Sequence, residues 1–285
     1  MTIPVNNWWH FLRVVAVMNC VAWFVSAVLL ARHRSNYHSD EYRRRRWLMV
    51  LSAGYVLGCA FRSFLPRIDL LRICLAQSWL SRMPVGRSVA TIAELCFMAQ
   101  CALLLHIAGR SVGNKSTTRI SQCLMPLIIV AECASWYAIL STNYLGHVVE
   151  NSIWTVCAAL LFVSFFHLWP HSNRGQRQFL SAMMVFGIGY ILFMITTNLP
   201  MYWTRWQLQL TTRHAILPLL QGLADASRRC IVSFNQDIWY QEMPWMTLYF
   251  TIVVWLSMLL PHAPTWIRNS RSRSAASLEN SPPGE

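Results

Sequence analysis

Apolar residues gather along this chain into seven long stretches, at roughly 11–31, 47–65, 88–108, 120–140, 151–169, 179–199 and 245–262. Each is close to the ~20 mostly apolar residues that a helix needs to cross a hydrocarbon core. The pattern predicts an all-α, polytopic membrane bundle of about seven transmembrane helices, forming one domain over residues 1–262. Two further segments are amphipathic but too short, charged or broken to span. RIDLLRICLAQSWL (67–80) reads as an interfacial or re-entrant helix. Residues 205–232 read as a mostly helical lid across the outer mouth, interrupted at Pro218. Its Ile216, Leu217, Leu220 and Leu223 recur at helical spacing and would pack inward, with Arg213, Asp225 and Arg228 facing water or a cavity rim.

Composition agrees with that class. The chain has 285 residues, 55% of them hydrophobic and only 12% charged, about half the charged share of an ordinary soluble domain. Fourteen tryptophans and nine tyrosines suit aromatic belts at two membrane interfaces. Residues 269–285 (NSRSRSAASLENSPPGE) hold one large apolar residue, Leu278, so 263–285 is expected to form a disordered cytosolic tail.

Charge orients the bundle. Loop 32–46 carries six arginines, loop 109–119 carries Arg110, Lys115 and Arg119, loop 170–178 carries Arg174 and Arg177, and the tail carries Arg268, Arg271 and Arg273. Seven spans place all four segments on one side, which the positive-inside rule makes cytosolic, with the N-terminus out and the C-terminus in. The first ten residues and loop 141–149 contain no Lys or Arg. The net charge of +13 therefore reads as topogenic arginine with affinity for anionic membrane lipids, and nucleic acid is not expected as a partner. RHR directly after the first apolar run marks an uncleaved anchor and not a signal peptide.

Two acids then change the picture. Glu94 and Glu132 sit in the middle of the third and fourth apolar stretches. An ionisable group there costs on the order of 2.5–3.5 kcal/mol on insertion scales, tolerable if it faces the bundle, a wet cavity or a partner. At about 1.5 Å per residue both fall at nearly the same depth in the outer half of the membrane. Arg87 and Thr91 share a helical face with Glu94, and Ser135 and Trp136 share one with Glu132. Arg62 closes the second stretch, Glu150 and Asn151 open the fifth with His147 just before, and Asn198 closes the sixth. The expected site is a polar cavity with Glu94 and Glu132 as acid and base. Arg62, Arg87, Thr91, Ser135, Trp136, Glu150, Asn151 and Asn198 would line or approach it, with Trp154 as a further apolar wall. Helix locking by Glu–Arg pairs is the competing account. Arg67, Arg72 and Arg205, on the outer side, would balance the acids or hold an anionic head group.

The other candidate chemistry is weaker. His106, His167, His171 and His262 fall near cytosolic helix ends, but Pro170 separates the one i,i+4 pair and carboxylates are missing nearby, so no metal is expected. Nine cysteines form no CxxC, and a disulfide is conceivable only between Cys74 and Cys230, the two in the outer segments. Gly54 and Gly58 make a GxxxG that suits packing within the bundle. There is no phosphate-cradling loop and no GxSxG, and no cofactor is expected. Receptor-type triplets are missing after the third stretch, which reads HIAGRSV, and so is an NPxxY in the seventh. The resulting expectation is an enzyme acting on a lipid or isoprenoid from the outer leaflet. A proton-coupled carrier and a receptor, assembly factor or scaffold are the alternatives. Oligomeric state and the particular membrane are open.

Overall fold

The computed structural model describes residues 3–212 and 216–266. Its helices are α1 (Val5–Arg32), α2 (Ser39–Phe64), α3 (Met83–Val112), α4 (Lys115–Ser141) and α5 (Tyr144–Leu168). Next comes α6 (Arg174–Phe193), which runs through a π-helical turn (Met194–Asn198) into α7 (Leu199–Thr211). After α8 (Leu219–Arg228) and the short α9 (Gln236–Tyr240), α10 (Met243–Leu248) passes through a second π turn (Tyr249–Val253) into α11 (Val254–Leu259). Seven of these units are long and apolar enough to cross a membrane, the sixth being Arg174–Thr211 and the seventh Met243–His262. That suits a multi-pass membrane protein. Outward faces agree: Val14, Val17, Val21 and Phe24 of α1 are all exposed, as a lipid-facing stripe requires.

The helix ends follow local chemistry. Asn114, Asn143 and Asn173 each accept a backbone N–H at the start of α4, α5 and α6, and Asn173 with Gln176 completes a capping box. Gly113, at φ 76°, ends α3 in the left-handed region that glycine occupies without strain.

Packing is sequential around the bundle: α1 on α2, α2 on α3, α3 on α4, α4 on α5 and α5 on α6. The last span returns against α1 and α2. Gly58 makes the α2–α3 approach possible, since a Cβ there would come within 2.6 Å of the Ala93 Cβ. The GxxxG is thus consumed inside the bundle. A second lock is polar: Gln100 donates to the Leu48 and Ser257 carbonyls at 2.8 and 3.2 Å and accepts from the Ser257 hydroxyl at 2.6 Å.

The arginine-rich segments meet at one end. Arg45 of α2 donates to the Pro261 and Ala263 carbonyls, and Gln176 of α6 donates to the Thr265 carbonyl. Ala108, Leu168, Leu180 and Trp266 share one apolar cluster there. Residues 263–266 are therefore packed, which corrects the expectation of a loose tail from 263 onward. The Trp266 side chain is the reason, being buried beside Phe179. The remainder of the expected tail, 267–285, lies outside the described residues.

The opposite end differs from the sequence expectation. Residues 67–80 do not form a helix. They form β1 (Arg67–Ile68) and β2 (Ile73–Cys74), an antiparallel pair, followed by a single 3-10 turn at Trp79–Ser81. Pro66 biases its predecessor away from helix, and Leu65 sits at φ −127° and ψ 65°. Arg72 closes the turn at φ 57°, held by a side chain that donates to the Asp69 and Ile139 carbonyls and to Asp225. β3 (Ile231–Val232) adds in parallel to β2, and Cys74 is disulfide-bonded to Cys230 with 6.1 Å between the Cα atoms.

Segment 205–232 is likewise not one lid. Its first part continues the sixth span as α7, because the π turn just ahead of Pro200 absorbs the donor that proline lacks. Pro218 then caps α8. Within α8 the buried positions are Gly222 and Ala226, while Leu220 and Leu223 are exposed, the reverse of the expected inward leucine face. Gly222 lies so close to the Leu140 carbonyl that any Cβ would overlap it, which pins the small-residue side of α8 to the end of α4. Arg228 is exposed as expected, Asp225 is taken by Arg72, and Arg213 lies outside the described residues.

This architecture makes the disulfide the covalent clasp of the second-to-third and sixth-to-seventh connections. Alkylation of denatured, unreduced protein is expected to modify the seven other cysteines and to spare Cys74 and Cys230. Cys74→Ser is expected to lower the thermal midpoint in detergent. Full labelling of all nine without reductant would contradict the clasp.

Candidate functional site

The site is built by periodicity. On α3, Arg87, Thr91 and Glu94 follow one another at helical spacing, and on α5 His147, Glu150, Asn151 and Trp154 do the same. The faces of α3, α4 and α5 converge on the Arg87 guanidinium. Its Nη2 lies 2.5 Å from Glu132 Oε2, 3.4 Å from Glu150 Oε1 and 3.6 Å from Glu94 Oε2. Arg62 of α2 approaches Glu94 from the other side at 3.8 Å. The three carboxylates bring oxygens within 4.8 Å of one another, and all three side chains are buried.

Each acid has a different second partner. Glu132 accepts from the Thr91 hydroxyl at 2.5 Å, and Trp136 Nε1 donates to that same hydroxyl oxygen at 3.1 Å. Glu150 Oε2 lies 2.6 Å from His147 Nδ1, and His147 packs on the Tyr202 ring. Glu94 has no hydrogen bond among the described residues, only its two arginine neighbours.

A cavity of about 510 Å³ adjoins this cluster, within the usual range for small-molecule sites. Arg62, Arg87, Glu94, His147, Glu150, Asn151 and Asn198 line its polar part. Asn198 donates to Asn151 at 2.7 Å, joining the sixth span to α5. Below, the lining is apolar: Phe97, Met98, Leu105, Trp154, Phe165 and Trp266 among others. From Glu94 to Ala108 the cavity follows α3 for roughly 21 Å, fourteen residues at 1.5 Å each. Its two long walls are α6 with its π turn and the seventh span with its own. Since α6 packs on α5 and the seventh span on α1 and α2, the cavity fills the gap between them.

Several expected residues stand elsewhere than imagined. Glu132, Thr91, Ser135 and Trp136 lie behind Arg87, outside the cavity lining. Ser135 is fully buried, and Trp136 serves the Thr91 hydroxyl and not an apolar wall. Trp154 does line the cavity. Of the outer arginines, Arg72 is fully used by the clasp, and Arg205 is bound by Glu242 at 2.6 Å and Gln241 at 2.7 Å. Arg67 lines the cavity and has a single partner, Asp69 at 2.8 Å. Burial pushes its guanidinium down to about 10, with Asp69 opposing the fall and Arg62 and Arg87 adding to it.

His147, placed by the sequence just before Glu150 without a role, joins the lining, and the residues that sequence reasoning left out altogether are Tyr190, Tyr202 and Glu242. Tyr190 follows Gly187 and Gly189, both on the cavity wall, so the GIGY run carried a signal of open space beside a helix. Glu242, an acid two residues before Pro244 at the start of an apolar run, carried a weaker one. The three carboxylates are also the residues that could hold a divalent cation. Arg87 Nη2 already stands against all of them, so such an ion would have to displace it from Glu132. No protein family, curated protein or solved structure matches this chain.

The arrangement makes Arg87 the group whose loss leaves most charge uncompensated. Arg87→Met is expected to cost on the order of 3–5 kcal/mol, as for one partner removed from a buried pair. Glu132→Gln should cost less, because a neutral amide still accepts from Thr91. Thermal or chemical unfolding in detergent measures both. An Arg87→Met protein as stable as wild type would mean the cluster does not hold the helices.

Proposed function

We propose that this chain is an integral membrane enzyme that acts on an amphipathic lipid or isoprenoid by proton transfer at the polar head. The observation that carries the reading is a long, mostly apolar cavity that ends against Glu94 and the His147–Glu150 pair. An apolar tail would lie along Met98, Leu105 and Trp154, which sets the head beside the acids. The gap between the sixth and seventh spans is the route of entry from the bilayer. π turns on both sides of it supply irregular backbone where a site is needed, and Asn198 enters the lining from one of them.

Glu94 is the acid–base residue in this reading, since it faces the cavity and is committed to no hydrogen bond. Three carboxylates face two guanidinium groups, so one proton held by the carboxyls or by His147 completes neutrality. That proton is the one available for transfer. Arg62 would oppose negative charge that develops on the head. Glu132 takes the role of a positioning residue, holding Arg87 from behind.

Orientation belongs to the same proposal. The arginine-rich end lies in the cytosol, with the N-terminus outside and the C-terminus inside. The Cys74–Cys230 clasp then lies on the far side, where an oxidising compartment lets it persist. The acid cluster falls in the outer half of the membrane. A carrier is less well supported, because the buried amides towards the cytosolic end are committed: Gln100 is saturated by Leu48 and Ser257, and Gln176 is tied to Thr265 and Asn173. A carrier needs polar groups to continue across.

Glu94→Gln tests the proposal. The expected loss of turnover is about 10²–10⁴-fold, the usual worth of a general acid or base, with the protein still folded and inserted. The readout is the lipid profile of host membranes carrying wild type, Glu94→Gln or no protein. If the Glu94→Gln membranes match wild type while differing from the null, the acid–base assignment is wrong.

A further inference from the structure

The acids account for one part of the cavity and leave a second feature unexplained. Arg67 donates from Nε to Asp69, but its Nη1 and Nη2 meet no partner among the described residues. Its side chain is only 1% exposed, and the group lines the cavity. The guanidinium is seated directly over Gly86, in the space that a Cβ on that residue would fill. Beside it Arg62 also lines the cavity, with its nearest carboxylate oxygen at 3.8 Å. Trp245, Tyr249 and Phe250 surround the Arg62 guanidinium at 5.7, 5.9 and 5.7 Å. By contrast Arg72 and Arg205 have their donors occupied.

A buried guanidinium with its terminal N–H groups unused, held in a fixed seat, presents a donor fork. That fork matches two oxygens of one acid group. A phosphate that meets the Arg67 fork with two oxygens keeps a third for Arg62, whereas a carboxylate would have to share one of its two oxygens between both guanidinium groups. We propose that Arg67 and Arg62 form a subsite for the phosphate of a phosphate-bearing lipid whose tail occupies the apolar part of the cavity. This rests on the reading of the cavity as a lipid site and specifies the head group that Glu94 would meet. The clasp supports it mechanically: Arg67 opens β1, and β1 is held through β2 and the disulfide to β3.

Thermal unfolding in a phosphate-free maltoside detergent tests it, with dioctanoyl phosphatidic acid as probe and dioctanoylglycerol and inorganic phosphate as comparisons. The phosphatidic acid is expected to raise the midpoint of the wild-type protein, and neither comparison should at equal concentration. Arg67→Gln removes the fork, and Gly86→Ala unseats it without changing any charge; both are expected to lose the shift. Arg229→Gln, at an exposed position, should keep it. If Arg67→Gln does not fold, Arg62→Gln and Gly86→Ala read the same subsite. An equal shift with dioctanoylglycerol would overturn phosphate recognition, and an equal shift with inorganic phosphate would overturn the lipid as its source. Retention of the full shift by folded Arg67→Gln would overturn the subsite. Glu94→Gln is expected to bind the probe as wild type does. A fully active Glu94→Gln therefore defeats the acid–base reading and leaves this one standing, whereas absence of any shift with phosphatidic acid in the wild-type protein defeats this one and leaves that reading standing.

Discussion

Placing Arg87 among three carboxylates inside an apolar bundle is the constraint to which the rest of the structure answers. In a low-dielectric interior neither a lone guanidinium nor a lone carboxylate is tolerable. Each of Glu94, Glu132 and Glu150 is therefore fixed by its need for Arg87, and Arg87 by its need for them. The cluster joins α3 to itself, α4 and α5, and Arg62 extends it to α2. Four neighbouring helices are thus held in register by charge at one depth, while the apolar faces on either side of it supply the packing. Register set in this way is what allows the sixth and seventh spans to stand apart. The cavity between them needs no contact across the gap to hold its shape, because both walls lean on helices that the cluster has already fixed.

In the proposed reaction the same cluster separates positioning from chemistry. Glu132 makes the shortest contact to Arg87, accepts from Thr91 and is turned away from the cavity. Glu94 makes the longer contacts and faces the open space. A carboxylate held tightly by a guanidinium resists taking up a proton, whereas a loosely paired one at a cavity wall can take up a proton and return it. Two glutamates that look alike in sequence, each in mid-span, differ by two hydrogen bonds, and the proposed division of work rests on that difference.

The spans and the convergence of Glu94, Arg87, Glu150, Asn151 and Asn198 were legible in the sequence, because long apolar runs and a polar residue inside one are strong signals with a direct energetic cause. Three features were not. Helical periodicity in RIDLLRICLAQSWL was overridden by Pro66 ahead of it and by a turn that Arg72 closes with its own side chain. The leucines of α8 pointed outward because its fit to α4 is set by Gly222 against the Leu140 carbonyl, a steric fact invisible without the partner. The side of the cavity on which Glu132 falls was likewise undetermined, since a stripe on a helix gives a face but not which neighbour the face meets. Amphipathicity tells which side of a segment is apolar; whether that side meets protein or lipid is decided by the smallest residue nearby.

That distinction gives the disulfide end its meaning. Ile231 and Val232 of β3 and the leucines of α8 are exposed, and burial at this end comes from the small cluster of Leu70, Met83, Ile139 and Ala226 on its inner side. To that burial are added the Cys74–Cys230 bond, the two-residue strand pairings and Arg72. Each of these bears on the short stretch that includes Arg67. A rigid mount is what a buried arginine with unused donors requires: if its strand could relax, the side chain would turn towards backbone carbonyls, as Arg72 has done towards those of Asp69 and Ile139. The covalent clasp and the unpartnered fork are therefore two halves of one arrangement, in which rigidity outside the bundle preserves an unmet donor inside it.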